Sequence, residues 1–229
     1  MKRFILFLGV LFVLFSASSG WWLRVTAKGR SQALTAAISH DIDVAGQPEL
    51  ILQAALHDTG LSGGVVKFQD CSGVAQLHLR AVQGTAISTV MDSLVAENPQ
   101  YAWELRGSVV NIVEKPGLPP LLVTKLQSFR VDTTDKEIGT VFSDLLRRPE
   151  VQQRAAELKL KPGIWTGGLS AYEENPKPTQ PIPIHFNIED GSLWDAFNSI
   201  VTAGQHMIWV YAERACNGDR TYLVDIVQN

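Results

Sequence analysis

The sequence predicts an α+β protein made of two tandem small βαββαββ modules, each with its helices packed on one face of a mixed sheet. The main observation is an internal repeat, because one layout of apolar residues occurs twice. A helical set is followed in each copy by a tryptophan-containing strand: Ile87, Val90, Met91, Leu94 and Trp103 in the first, and Leu193, Ala196, Phe197, Ile200 and Trp209 in the second. Each copy has roughly 80 to 100 residues, which is enough for a small core.

Local patterns place the elements of the first module, residues 40–115. Pro48 suits the first turn of a helix, and Thr85 is a plausible N-cap for the next one. The predicted elements follow in this order: a strand at 42–44, a helix from Pro48, strands at 65–68 and 75–80, a helix from Thr85 to Asn98, and strands at 101–105 and 109–113.

A proline-containing linker, residues 116–125, separates this module from the second, residues 126–229. In the second module Thr134 and Glu137 have the spacing of a capping box, and Ser192 caps the last helix. Asn217-Gly218 predicts a hairpin between the final two strands. Residues 161–181 are rich in proline and glycine, have no counterpart in the first copy, and are predicted to be an insertion.

The N-terminus predicts export. Lys2 and Arg3 precede an apolar run from Phe4 to Phe15, and small residues follow, which is the order of a signal peptide. Residues 1–27 are therefore either a cleaved signal or an N-terminal membrane anchor. The apolar stretch 4–23 is long enough to span a bilayer if it is not cleaved. The expected location is the periplasm, with inner-membrane anchoring as the alternative.

Charge and cysteine content limit the functional classes. A net charge of −3 gives no basic footprint for nucleic acid, so nucleic-acid binding is not expected. The chain has two cysteines, Cys71 and Cys216, one in each copy. An oxidising compartment permits a disulfide between them, and the alternative is two unrelated thiols.

No catalytic motif or metal-binding motif occurs in the sequence, so no catalytic residues, metal or cofactor are assigned. His78 and His185 match as strand positions, and solvent exposure is the favoured interpretation over a weak metal-binding or pH-sensing pair. The candidate binding residues lie in the insertion and are two aromatics and an acidic pair: Trp165, Tyr172, Glu173 and Glu174.

Two phrases of the chain, Ala81–Leu94 and Ile188–Phe197, are similar to the helix entry of the secretin and TonB N-terminal short domains. In those domains a strand leads through a glycine or asparagine turn into a helix, and the next strand carries an aromatic residue. The resemblance implies a periplasmic module that docks other envelope proteins, with no catalytic residues.

The sequence therefore predicts a non-enzymatic, exported protein that binds an envelope protein or peptide. Two rival hypotheses remain: a small-ligand or glycan binder that uses the insertion aromatics, and an enzyme with a site between the two modules that uses residues such as Glu173, Glu174 or His185.

Overall fold

The computed structural model describes residues 35–73, 75–134, 137–163 and 183–228, and the α+β class is confirmed. We call residues 35–114 the N-terminal half and residues 125–228 the C-terminal half. The N-terminal half contains β1 (Ile42–Gly46), α1 (Pro48–Leu56), β2 (Ser62–Gln69), β3 (Leu77–Ala81), α2 (Ile87–Glu97), β4 (Tyr101–Arg106) and β5 (Val109–Glu114). The C-terminal half contains β6 (Ser128–Thr133), α3 (Ile138–Leu146), α4 (Pro149–Glu157), β7 (Lys161–Pro162), β8 (Ile184–Glu189), α5 (Leu193–Gly204), β9 (Met207–Cys216) and β10 (Asp219–Gln228).

The two halves share one sheet, and their elements follow a similar order, except that the C-terminal half has the additional helix α4. Six strands pair in the order β4-β5-β2-β9-β10-β7, so that three come from each half. Within each trio the first two strands are antiparallel and the third is parallel to the second. The remaining strands form two antiparallel ribbons, β1 with β3 and β6 with β8. The halves meet where β2 pairs in parallel with β9, from Gly63 opposite Ile208 to Gln69 opposite Arg214.

Because β2 and β9 are parallel, each strand of the second trio runs opposite to the strand at the corresponding place in the first trio. The two trios are therefore related by a half-turn about an axis that lies in the sheet, perpendicular to the strands. Such a rotation exchanges the faces of the sheet. The helices of the two halves cover opposite faces of the shared sheet, since α1 and α2 pack in one core and α3, α4 and α5 pack in the other. Neighbouring residues of β2 accordingly enter different cores, Val65 the one beside α1 and Val66 the one beside α5.

The two cores are shared between the halves. Val109 and Val113 of β5 pack into the core of the C-terminal half, and Ile208 and Val210 of β9 pack into the core of the N-terminal half. Each half therefore buries apolar area that it would expose if it folded alone, and burial of apolar area is the main favourable term in folding.

Two glycines make this junction possible. Gly63 and Gly64 of β2 lie opposite Ile208 and Trp209. A Cβ atom at position 64 would lie 2.4 Å from the Trp209 ring and 2.3 Å from Asn111 Oδ1, and a Cβ atom at position 63 would lie 2.8 Å from the Leu52 side chain. Glycine is therefore required at position 64, beside the rigid Trp209 ring, although it has low strand propensity.

A disulfide between Cys71 and Cys216 ties the end of β2 to the end of β9. The two cysteines lie two residues beyond the pair Gln69 and Arg214, so they continue the register of the ladder. The sequence separation is 145 residues, for which closure of the loop in the unfolded chain corresponds to about 5 kcal/mol in the chain-entropy account.

The helix starts differ in part from the sequence-based predictions. The predicted N-cap Thr85 is wrong, because α2 begins after Ala86 and the Thr85 hydroxyl donates to the Val82 carbonyl instead. The predicted Thr134 capping box is also wrong, because α3 begins one turn later, with Glu137 as its N-cap. Ser192 does cap α5, in a capping box with Asp195. In each corrected case the chain enters the helix through extended backbone without a side-chain cap.

Strand β7 occupies the start of the predicted insertion 161–181. Lys161 and Pro162 pair in parallel with Thr221 and Tyr222 of β10. Strand β7 thus has the position beside β10 that β2 has beside β5 in the N-terminal half. The beginning of this segment is thus part of the sheet. The predicted linker 116–125 is also packed, since Leu121 and Leu122 are fully buried. Among the described residues, no helix is both long and apolar enough to cross a membrane.

Replacement of Gly64 by alanine tests the junction. We expect Gly64→Ala to lower the free energy of unfolding by about 1–3 kcal/mol, because the added methyl group overlaps the Trp209 ring. Urea denaturation of the oxidised protein measures the effect. The control is Gly139→Ala in α3, where an added Cβ meets nothing within 4 Å and alanine should be neutral or stabilising by up to about 1 kcal/mol. Equal stability of Gly64→Ala and the parent protein would contradict the close approach.

Candidate functional site: the β4 edge and the adjoining groove

Strand β4 is one edge of the six-stranded sheet. Its inner side pairs with β5 along its whole length, and no described strand pairs with its outer side. Ala102, Glu104 and Arg106 are exposed, whereas Tyr101 is buried against the helices of its own half. An uncovered edge presents unpaired backbone groups and is a template for another strand.

The tryptophans of β4 and β9 hold the same position in their halves. The Trp103 Nε1–H donates to Asp92 Oδ1 at 2.8 Å, and the Trp209 Nε1–H donates to Asn198 Oδ1 at 2.9 Å. Both acceptors lie on the preceding helix, 11 residues earlier in the chain. The surroundings differ, however, because Trp209 is completely buried beside β2 and Trp103 is only half-buried.

A groove of about 370 Å³ lies at the far end of β4, between the two halves. It is lined by the β4–β5 turn and by residues of β8 and α5: Arg106, Gly107, His185, Phe186, Asp195, Asn198, Ser199, Thr202 and Ala203. The groove therefore adjoins the end of the uncovered strand β4.

The charged groups of the groove make contacts between the two halves. Arg106 forms an ion pair with Asp195 at 3.2 Å, and its guanidinium lies 5.9 Å from the ring centre of the buried Trp194. The other oxygen of Asp195 accepts from the Ser192 backbone N–H in the capping box. Arg106 and Asp195 would otherwise be candidates for anion binding and proton transfer, but both side chains are engaged in these structural contacts.

Each ribbon carries an exposed His–Asp pair. His78 Nε2 lies 2.7 Å from Asp43 Oδ1, and His185 Nδ1 lies 2.7 Å from Asp132 Oδ1. The hydrogen bond and charge of His185, together with the nearby Arg130, hold the pKa of the Asp132 carboxyl below its usual value. Both histidines face solvent, as the favoured interpretation of the sequence has it, with side chains that are 51% and 56% exposed.

A second polar cluster is enclosed in the N-terminal half. Lys67 of β2 donates to Glu49 Oε1 at 2.6 Å and to Gln47 Oε1 at 3.0 Å, and neither side chain of the ion pair is exposed. The Tyr101 hydroxyl is buried without a partner among the described residues. Burial, together with the negative charges of Glu114 and Glu49, raises the pKa of Tyr101 above its ordinary value. The ion pair of Lys67 and Glu49 is fully buried, and we assign it to the anchoring of α1 on the sheet.

The candidate binding residues from the sequence, Trp165, Tyr172, Glu173 and Glu174, lie outside the described residues. Of the residues considered for a rival enzyme site, His185 does line the groove between the halves.

Sequence reasoning missed Arg106, Asp195 and Asn198. The matching positions of Asp92 and Asn198, each 11 residues before a repeated tryptophan, are a signal that could have identified one of them. Arg106 has no such signal, because its contacts depend on how the halves meet.

Comparison with known proteins gives no family for this fold and groove: no family model, curated protein or solved structure matches the chain. In the part of the chain that the structure describes, no three His, Cys, Asp or Glu side chains are grouped so that they could hold a metal ion.

The His–Asp pairs give a pH prediction. We expect His185→Ala to raise the pKa of Asp132 toward its ordinary value, because the histidine is the main cause of the depression. A lowered carboxylate pKa adds stability above the unfolded-state pKa, and this is lost as the pH falls through the folded-state pKa. Carbon-13 NMR of the carboxyl groups follows the titration. His78→Ala is the matched control and should move Asp43 instead. An unchanged Asp132 midpoint in His185→Ala would refute the pairing.

Proposed function

We propose that this protein is a non-enzymatic, exported binding module of the cell envelope, built from two copies of one small unit, and that its ligand is a polypeptide. The observation that carries the proposal is the uncovered strand β4, which pairs with β5 on its inner side and with no described strand on its outer side. Addition of a strand at an exposed edge is a common mode of peptide recognition, since main-chain hydrogen bonds supply affinity and side-chain pockets supply specificity.

The disulfide supports an extracytoplasmic location. Disulfides persist in oxidising compartments and are rare where thiols are kept reduced. The bond between Cys71 and Cys216 thus fits the export signal predicted in residues 1–27, which lie outside the described residues.

The resemblance to the secretin and TonB N-terminal short domains points to the same class of function. The repeated order of elements and the matching Trp103 and Trp209 contacts are consistent with two copies of such a unit. We assign neither Arg106 nor Asp195 of the groove a catalytic role, because they are already engaged with each other and with the α5 capping box.

Site-specific photocrosslinking in the cells that produce the protein tests this proposal. A benzophenone amino acid at Glu104, which is exposed on β4, should give one discrete adduct whose second component is the same polypeptide in repeated mass-spectrometric identifications. The matched control places the same group at Ala156, which is exposed on α4 far along the chain from the edge. An absence of adducts at Glu104, or the same adducts at both positions, would contradict a binding function at this surface.

A further inference from the structure

Strands β4 and β9 hold equivalent places in the two halves but differ in their neighbouring strands. Strands β4 and β9 follow the same helix in their halves, and their tryptophans make the same indole hydrogen bond. Strand β9 is covered by β2 in a parallel ladder on the side away from β10, whereas no described strand pairs with β4 on the side away from β5. The protein therefore contains one occupied and one unoccupied example of the same edge.

We infer that β4 accepts an extended polypeptide segment that runs parallel to it, with a glycine opposite Trp103, as β2 does beside β9. This inference rests on the proposed binding function and adds the strand direction, the register and the residue that the partner must carry. The occupant is thus a glycine-containing β segment of another protein.

The backbone of β4 is oriented for such an addition. The Lys115 N–H donates to the Gln100 carbonyl at 2.8 Å, which places that pair among the hydrogen-bonded pairs of the β4–β5 ladder. Because hydrogen-bonded and non-hydrogen-bonded pairs alternate in antiparallel strands, Ala102 and Glu104 turn their backbone groups toward β5. Trp103 and Leu105 therefore turn theirs toward the uncovered side.

The same alternation holds at the occupied edge. In the C-terminal half the Tyr222 carbonyl accepts from the Gly163 N–H, so it is turned toward β7 and away from β9. Ile226, which lies opposite Trp209, has the same orientation as Tyr222, since it is four residues further along the strand. Trp209 therefore directs its backbone groups to β2, as Trp103 directs its own to the open side.

The tryptophan sets the residue that can lie opposite. Gly64 lies opposite Trp209, and a Cβ atom there would come within 2.4 Å of the indole ring. The hydrogen bond from Trp103 to Asp92 fixes its indole in the corresponding place. A partner residue opposite Trp103 must then be glycine. The next two residues of the partner can be β-branched, as Val65 and Val66 are in β2.

A peptide with the sequence of residues 61–69 is the direct probe, with threonine in place of Lys67 so that no cation lies beside Arg106. We expect this fluorescein-labelled peptide to bind the intact, oxidised protein in a fluorescence anisotropy titration. The same peptide with Gly64→Val should bind at least about tenfold more weakly, because the valine side chain overlaps the indole.

Two protein variants test the edge itself. Leu105→Pro removes an N–H that points to the uncovered side, and proline is tolerated at such positions of edge strands. Leu105→Thr is the matched control, because it loses the same leucine packing and keeps the N–H. We expect Leu105→Pro to weaken peptide binding about tenfold relative to Leu105→Thr, at equal thermal stability.

Each contrary outcome overturns the inference. These outcomes are no binding at millimolar peptide, equal binding of the glycine and valine peptides, and equal binding by the two Leu105 variants. Sedimentation that shows a dimer lost in Leu105→Pro and undisturbed by the peptide would instead assign the edge to a second copy of this chain. An adduct at Glu104 in cells, combined with failure of the peptide series, would leave the proposed function standing and remove this register.

Discussion

The parallel pairing of β2 with β9 is the constraint on which the rest of the structure depends. It joins two three-stranded sheets into one, and its direction imposes the half-turn that places the helices of the two halves on opposite faces. Because both faces are then covered, β2 is buried along most of its length and its residues enter two cores. Gly63 and Gly64 permit the approach, and the Cys71–Cys216 disulfide fastens the end of the ladder.

This junction leaves the six-stranded sheet with two different edge strands, β4 and β7. The contact is heterologous, since one half contributes the strand β2 and the other contributes β9, and a single heterologous contact leaves one copy of each surface without a partner. One unit therefore keeps an uncovered β4, and the strand that corresponds to β2 in the C-terminal half is the two-residue β7. The buried pair of Lys67 and Glu49 lies on β2 and α1 beside this junction. Buried ion pairs add little net stability, and we attribute to this one a role in fixing the register of α1 on the strand.

Local features of the sequence predicted much of the fold. Pro48 lies in the first turn of α1, Ser192 caps α5, and Asn217-Gly218 joins β9 to β10, each through chemistry confined to a few residues. The joining of the halves could not be predicted in this way, because it depends on contacts more than 100 residues apart that leave no periodic pattern. Gly63-Gly64 was the available signal, since paired glycines in a buried strand indicate close approach of another backbone or a large side chain. Arg106 was missed for the same reason, as its partners Trp194 and Asp195 belong to the other half.

Amide hydrogen exchange of the two equivalent tryptophans tests the central claim most directly, that the same edge is covered in one half and uncovered in the other. The amide of Trp209 faces β2 in the middle of the sheet, so its exchange should require unfolding of the whole domain. The amide of Trp103 faces the uncovered side of β4, and we predict that it exchanges about a thousandfold faster or more under native conditions. Equal protection of the two amides in the isolated, oxidised protein would mean that another part of the chain already covers β4, and would contradict the account.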